Sequence, residues 1–285
     1  MKGIILTNAN YDTPSTRYQT KRLSEEFEKL GVKVTVQKND GRLCTLSERD
    51  FDFDFCIFLD KDVYTAEYLE RRGVKVFNRA EAIKICDDKM QTYLSLLDTG
   101  VAIPNTVAGV YSYLKVAPSE DKIDYLETKL SYPMVVKLNS SSLGAGVFLA
   151  RDRYELKKTL YEVSDKPHHV QEYVAKNIGE DVRVIVIGGK VVASMLRKSK
   201  GDFRSNVELG GTASPVTIPN SWLNVAERVA DIIELDYCGI DLLEGDNGAV
   251  VCEVNSNAFF GGIEEATGIN VAGSYASHVL DKLKG

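Results

Sequence analysis

The chain has 285 residues, 44% hydrophobic and 27% charged, with a net charge of −6. That profile fits a soluble globular protein with one large domain or two to three small ones, its acidity excludes a dedicated nucleic-acid binder, and no apolar run reaches membrane-spanning length. Five cysteines without CxxC spacing and three histidines leave no zinc pattern and point to free thiols in a reducing cytosol, hence a cytoplasmic protein.

Residues 1 to about 83 alternate strand and helix. Residues 3–7 read as a strand and not as a signal peptide. Residues 15–30 read as a helix with Leu23, Phe27 and Leu30 on one face and Gly31 at its end. Strands follow at 32–36, 55–59 and 74–77, with a helix at 63–72 closing on Gly73. This alternation predicts a small parallel sheet covered on both faces. No GxGxxG follows the first strand, so a dinucleotide site has no support. Residues 79–97 read as one helix with Met90, Tyr93, Leu94 and Leu97 on its apolar face, ended by Gly100 and Pro104. A compact α+β segment comes next: helix 122–130, strand 134–138, strand 147–150, helix 153–163 and strand 170–174. Residues 180–255 are mostly strands around one helix at 221–235, and a helix at 270–280 closes the chain.

The hairpin at 238–255 carries the strongest chemical signal. Glu253 and Asn255 are two apart and share one face of a strand, which leaves Val250, Cys252 and Val254 to the core. Gly245-Asp246-Asn247-Gly248 is turn chemistry. A three-residue loop, Asp246 to Gly248 with Gly248 left-handed, is expected and sets Asp241 opposite Glu253. A two-residue loop would put Asp241 opposite Val254 and spoil the convergence. Two carboxylates and an amide oxygen at one point suit a hard cation such as magnesium, completed by water and phosphate. On an ordinary hairpin the same residues simply face solvent.

Three further segments suit nucleotide chemistry. The strand bearing Lys137 runs into Asn139-Ser140-Ser141-Ser142-Leu143-Gly144-Ala145-Gly146. Such a loop offers N–H groups and hydroxyls to phosphate oxygens, or is a plain flexible turn; it is not a Walker A loop, since no Gly-Lys-Ser/Thr follows. Glu172 and Tyr173 at a strand end offer main-chain groups to a planar base, and an acid in Glu180-Asp181 suits ribose hydroxyls. In the basic loop 197–206, Arg197 and Arg204 flank a turn and are suited to grip a phosphoryl group or carboxylate bidentately. Its bland reading is a solvated surface.

The order of Asp88-Lys89, Val135-Val136-Lys137-Leu138, Gln171-Glu172-Tyr173-Val174, Asp181-Val182-Arg183, Gly201-Asp202-Phe203-Arg204-Ser205-Asn206, Gly239-Ile240-Asp241 and Glu253-Val254-Asn255 resembles the ATP-grasp superfamily. Within it the series resembles the RimK-like glutamate ligases and the LysX-type ligases, over about residues 79–280. The resemblance implies an α/β and α+β protein. A pre-ATP-grasp domain at 1–83 would precede an ATP-grasp domain at 84–285, made of two α+β subdomains with a lid at about 119–172. It implies that Lys89 and Lys137 contact ATP phosphates, that Glu172 and Tyr173 hold adenine and that Asp181 holds ribose. Arg204, Ser205 and Asn206 would line the phosphate and acyl-phosphate site, with Lys137, Arg197 and Arg204 as the catalytic cations. Asp241, Glu253 and Asn255 would hold two magnesium ions, or manganese in their place. The activity implied is amide or peptide bond formation between an amino acid such as glutamate and an amine or peptide partner, with a homo-oligomer as a further expectation. Substrate contacts are expected in variable loops, Arg17 among them. The segment Ser256-Asn257-Ala258-Phe259-Phe260-Gly261 departs from the Ser-Pro-Gly-type turn of RimK and borders the expected acceptor. The alternative from another class is a regulatory ATP-binding protein of the same fold without chemistry.

Overall fold

The computed structural model describes residues 1–47, 50–142, 144–174, 176–199, 201, 203 and 211–285. Its first layer is a parallel sheet of β1 (Gly3–Asn8), β2 (Val34–Asn39), β3 (Phe55–Leu59) and β4 (Lys75–Phe77), in the order β2-β1-β3-β4. Helix α1 (Pro14–Lys29) starts where Thr13 accepts from the Thr16 N–H and proline fixes the first turn. Its Leu23 and Phe27 bury against Ile5, Phe55 and Ile57. On the opposite face α2 (Val63–Arg71) and α3 (Ala80–Asp87) cover Ile4, Leu6, Cys56 and Phe58.

The single helix expected over 79–97 is two. Asp88 leaves helical geometry (φ −112°, ψ 110°) and its carboxylate accepts from the N–H groups of Met90 and Gln91, starting α4 (Lys89–Leu96) afresh. The restart turns the inward stripe to Lys89, Thr92, Tyr93 and Leu96. Leu94 and Leu97, expected inside, are exposed.

A second, antiparallel sheet contains β5 (Thr106–Ala108), β6 (Met134–Leu138), β7 (Val147–Ala150) and β8 (His168–Glu172), in the order β5-β8-β6-β7. Helices α5 (Glu120–Lys129) and α6 (Arg153–Val163) seal one face through Ile123, Leu126, Leu156 and Leu160. The third sheet contains β9 (Glu180–Ile187), β10 (Lys190–Lys198), β11 (Thr212–Pro215), β12 (Tyr237–Gly245) and β13 (Gly248–Asn255), in the order β11-β10-β9-β12-β13. Helix α7 (Asn220–Ile233) covers one face, and α8 (Gly261–Thr267) and α9 (Val271–Lys284) cover the other. One apolar core runs from Ile5, Phe55 and Phe77 of the parallel sheet to Ile185, Met195 and Tyr237 of the third. Buried Asn78 fastens that junction. Its Nδ2 donates to the carbonyls of Tyr237 and Ser256, and its Oδ1 accepts from the N–H groups of Asp236 and Tyr237. Strand β5 and helix α8 had no counterpart in the sequence reading, because three residues and a Gly-Gly start carry little periodicity. Among the described residues no helix is long and apolar enough to cross a membrane.

Candidate active site

Asp241 and Glu253 are directly opposed across the β12–β13 hairpin, as expected, but by another route. Gly245 pairs with Gly248, so the turn residues are only Asp246 and Asn247. Leu242 then pairs with Val251 and Asp241 with Glu253, leaving Cys252 as the extra residue of a bulge. Gly248 has φ +121°. The bulge also breaks the expected alternation: Ala249, Val251 and Val254 enter the core, while Cys252 turns into the cleft beside Glu253. Tyr93 holds the bulge by donating from its hydroxyl to the Cys252 carbonyl at 2.7 Å.

The cleft, counted with the solvent space at its mouth, spans about 900 Å³ between the second and third sheets. Pro104, Val135, Val147 and Leu243 supply apolar walls, and Tyr173 meets Phe203 edge-on with ring centres 6.3 Å apart. Strand β8 stops at Glu172, two residues before the expected end, so the main chain of Tyr173 and Val174 leaves the ladder at the cleft wall. The Glu172 carboxylate accepts from the backbone and side-chain nitrogens of Asn105, at 2.9 Å each, and its own N–H donates to the Asn105 carbonyl.

Two buried lysines enter from different elements. Lys89, at the first turn of α4, donates to the Ser141 carbonyl at 2.8 Å and lies 3.4 Å from Glu253 Oε1. Lys137, on β6, reaches Cys252 Sγ at 3.7 Å. Burial disfavours the Lys137 charge, but Cys252, Tyr93 and Glu253 outweigh it and its pKa lies above the ordinary lysine value. Behind them His169 is fully buried and hydrogen-bonded through Nδ1 to Asn139 Oδ1 at 2.9 Å. Burial, then Lys137 and Lys89, hold its pKa down to about 3, so the ring is neutral.

The floor is a buried alternation of acids and arginines. Arg197 donates to both oxygens of Asp181, at 2.7 and 2.5 Å, and lies 2.7 Å from Asp241. Arg183 grips both Asp241 oxygens, the one from Nη2 at 2.8 Å. Burial opposes the Asp241 charge, yet Arg183 and Arg197 hold its carboxyl below the usual aspartate range. Asp181, expected at ribose, thus has both oxygens engaged, while Glu180 beside it also lines the cleft and pairs with Lys198 at 2.7 Å.

A second cavity of about 1760 Å³ opens between the third sheet and the ends of the parallel strands. It meets the first at Arg197 and Glu253, and Asn255, Asn257, Arg183, Asn8 and Lys61 line it. Asn255 pairs with Gly239, two residues beyond Glu253 on the same side of β13. Of the expected site residues, Lys89, Lys137, Glu172, Tyr173, Asp181, Arg197, Asp241 and Glu253 line the first cavity, and Asn255 the second. Arg204, Ser205 and Asn206 lie outside the described residues. Arg17 pairs with exposed Asp12 at 3.1 Å and does not line either cavity. Arg183, Cys252 and His169 were missed. For Arg183 a signal existed, since it is two residues from Asp181 and so shares its strand face.

The donors fit a hard divalent ion: two opposed carboxylates and an amide oxygen on adjacent strands. Among the described residues no three His, Cys, Asp or Glu side chains converge as a metal cluster.

A sequence model of the RimK-like ATP-grasp domain matches residues 86–279. The chain belongs to the RimK-like ATP-grasp family. ATP binding is a property of that family. The chain is 39% identical over 227 residues to beta-citrylglutamate synthase B of Danio rerio, covering 79% of this chain and 55% of that protein. It is 37% identical over 227 residues to N-acetylaspartylglutamate synthase A of Homo sapiens, covering 79% and 57%. It is 38% identical over 214 residues to a probable alpha-L-glutamate ligase of Thioalkalivibrio sulfidiphilus, covering 74% and 68%. The chain thus spans little more than half the length of the first two relatives. The likeness to solved ATP-grasp proteins in fold extends over nearly the whole molecule. A RimK domain ATP-grasp protein from Sphaerobacter thermophilus superposes with TM-score 0.74 at 20% identity, covering 98% of this chain and 99% of that one. A D-alanine–D-alanine ligase from Bacillus anthracis complexed with ATP gives 0.75 at 18% identity, covering 100% and 99%.

Proposed function

We propose that this RimK-like protein is an ATP-dependent carboxylate–amine ligase that forms an amide or peptide bond, with an amino acid such as glutamate as the unit joined. The observation that carries this reading is the meeting of two cavities at Arg197 and Glu253. One has apolar walls and two buried lysines suited to a nucleotide, and the other has room for a second reactant. The γ-phosphoryl group of ATP passes to a carboxylate oxygen at that junction, releasing ADP. An amine then attacks the acyl carbon of the acyl phosphate, the C–O bond to phosphate breaks, and amide and phosphate leave.

Lys89 and Lys137 bind phosphate oxygens where burial leaves their charge poorly screened. Arg197 offsets charge where the phosphoryl group moves, and the chain contributes mainly positioning and electrostatics. Asp241, Glu253 and Asn255 would hold magnesium, as two ions or replaced by manganese, and the metal would supply charge neutralisation at the phosphates. Adenine lies against Tyr173 with Glu172 at its edge, and ribose near Glu180 and Asp181. Arg204, Ser205 and Asn206, which lie outside the described residues, are assigned to phosphate by the family motif alone. Residues 1–83 act as a pre-ATP-grasp domain walling the acceptor cavity, and 84–285 as the ATP-grasp domain with a lid at about 119–172. The glutamate in the relatives' names supports the choice of amino acid.

Hydroxylamine trapping tests the reading. With ATP and magnesium, a panel of N-acetylaspartate, citrate and peptides with free carboxylates is expected to yield a hydroxamate from at least one acid. Tight ATP binding with no hydroxamate and no ADP across the panel would favour a regulatory nucleotide binder.

A further inference from the structure

We propose that Arg183 is an anion-binding residue of the acceptor cavity, held in reserve by Asp241 until a divalent cation takes that carboxylate. The inference rests on the ligase reading and adds to it a residue and an order of events. Arg183 and Arg197 differ in what they keep when Asp241 turns to a cation. Arg197 retains both oxygens of Asp181. Arg183 donates from Nε and Nη2 to Asp241 alone among the described residues, so it loses its hydrogen-bonded carboxylate and keeps only the longer-range attraction of Asp181. A mostly buried guanidinium that loses its hydrogen-bonded counter-ion is destabilised, and a new anion removes that penalty.

The anion must come from the acceptor side, because Arg183 lines the second cavity together with Glu253 and Asn255. Gly239 makes room for the guanidinium stem: a Cβ there would lie 3.0 Å from Arg183 Cδ and 2.5 Å from Ala258 Cβ. The planar fork that now grips Asp241 suits a carboxylate or phosphoryl group equally well. Cation and substrate anion therefore bind cooperatively: the cation frees the arginine, and the anion keeps it away from Asp241.

The test is manganese binding to nucleotide-free protein, read by electron paramagnetic resonance. Arg183→Met removes both the competitor for Asp241 and a repelling charge, so it is expected to bind Mn2+ about tenfold more tightly than the parent. In protein loaded with Mn2+ and ADP, inorganic phosphate is then titrated and followed by broadening of its phosphorus resonance. Arg183→Met is expected to weaken phosphate binding about tenfold. Arg183→Lys, which keeps the charge but loses the fork, falls between on both readouts and serves if the methionine variant does not fold. Unchanged or weaker Mn2+ binding, or unchanged phosphate binding, overturns the proposal. Asp241→Asn separates the two levels: if it binds Mn2+ with ADP as tightly as the parent, the cation site itself is misassigned. Weakened binding there with no change in the Arg183 variants sinks only the gating.

Discussion

Asp236 and Asp241 lie five positions apart at one end of the same hairpin, both buried and both met by cations, yet their surroundings differ in kind. Asp236 Oδ1 accepts from His278 Nε2 at 2.9 Å and Lys282 Nζ at 2.7 Å, one turn apart on α9, and it lines neither cavity. Asp241 is held by arginines from two different strands and opens onto the cleft where both cavities meet. A buried carboxylate with cationic partners is therefore not in itself a site. The same chemistry fastens a helix in one place and, by our reading, awaits a metal in the other.

Substitution should separate the pair most sharply by activity. Asp241→Asn or Glu253→Gln is expected to lower ATP turnover by about a hundredfold or more, with cooperative unfolding retained. Asp236→Asn should leave turnover near the parent value. A Glu253→Gln protein turning over at the parental rate would break the contrast. The next effect is reversed: Asp236→Asn should lower unfolding free energy by about 1–3 kcal/mol, since it strips a buried pair whose cations are partly solvated.

Acid stability sharpens the contrast. Despite burial, His278 and Lys282 keep the Asp236 carboxyl below its ordinary 3.8. It therefore stabilises the fold above that pH, and the contribution is lost as pH falls through its lower folded value. Asp236→Asn should lack that final loss. His169 acts earlier. Its folded pKa of about 3 lies below the ordinary 6.5, so the unfolded chain binds the extra proton and stability declines from about pH 6.5 downward. His169→Gln should flatten that decline, the smallest of these effects, measured by denaturant unfolding between pH 4 and pH 7.

What the residues revealed follows from the range over which each signal acts. The parallel sheet was legible because strand and helix periods alternate plainly up to Phe77. The pairing of Asp241 with Glu253 was legible too, but not its cause: glycines at 245 and 248 permit several turns, and Cys252 is small and apolar enough to suit either face, so the bulge left no mark. Asp88 reads as an ordinary polar helix residue until its backbone shows it to be a cap. Arg183 stood in the Asp181-Val182-Arg183 motif, but its pairing with Asp241 was not legible, because that partner comes from β12, beside β9 in space but separated in sequence by β10, β11 and α7. Short motifs carry the donor types; non-local strand order decides which cation stands against which acid.

Anomalous diffraction from crystals soaked with Mn2+ and a non-hydrolysable ATP analogue tests the central claim most directly. Manganese peaks bounded by Asp241, Glu253 and Asn255, with the triphosphate reaching them past Lys89 and Lys137, are the predicted result. Peaks away from those oxygens, or a nucleotide seated outside the cleft, would contradict it.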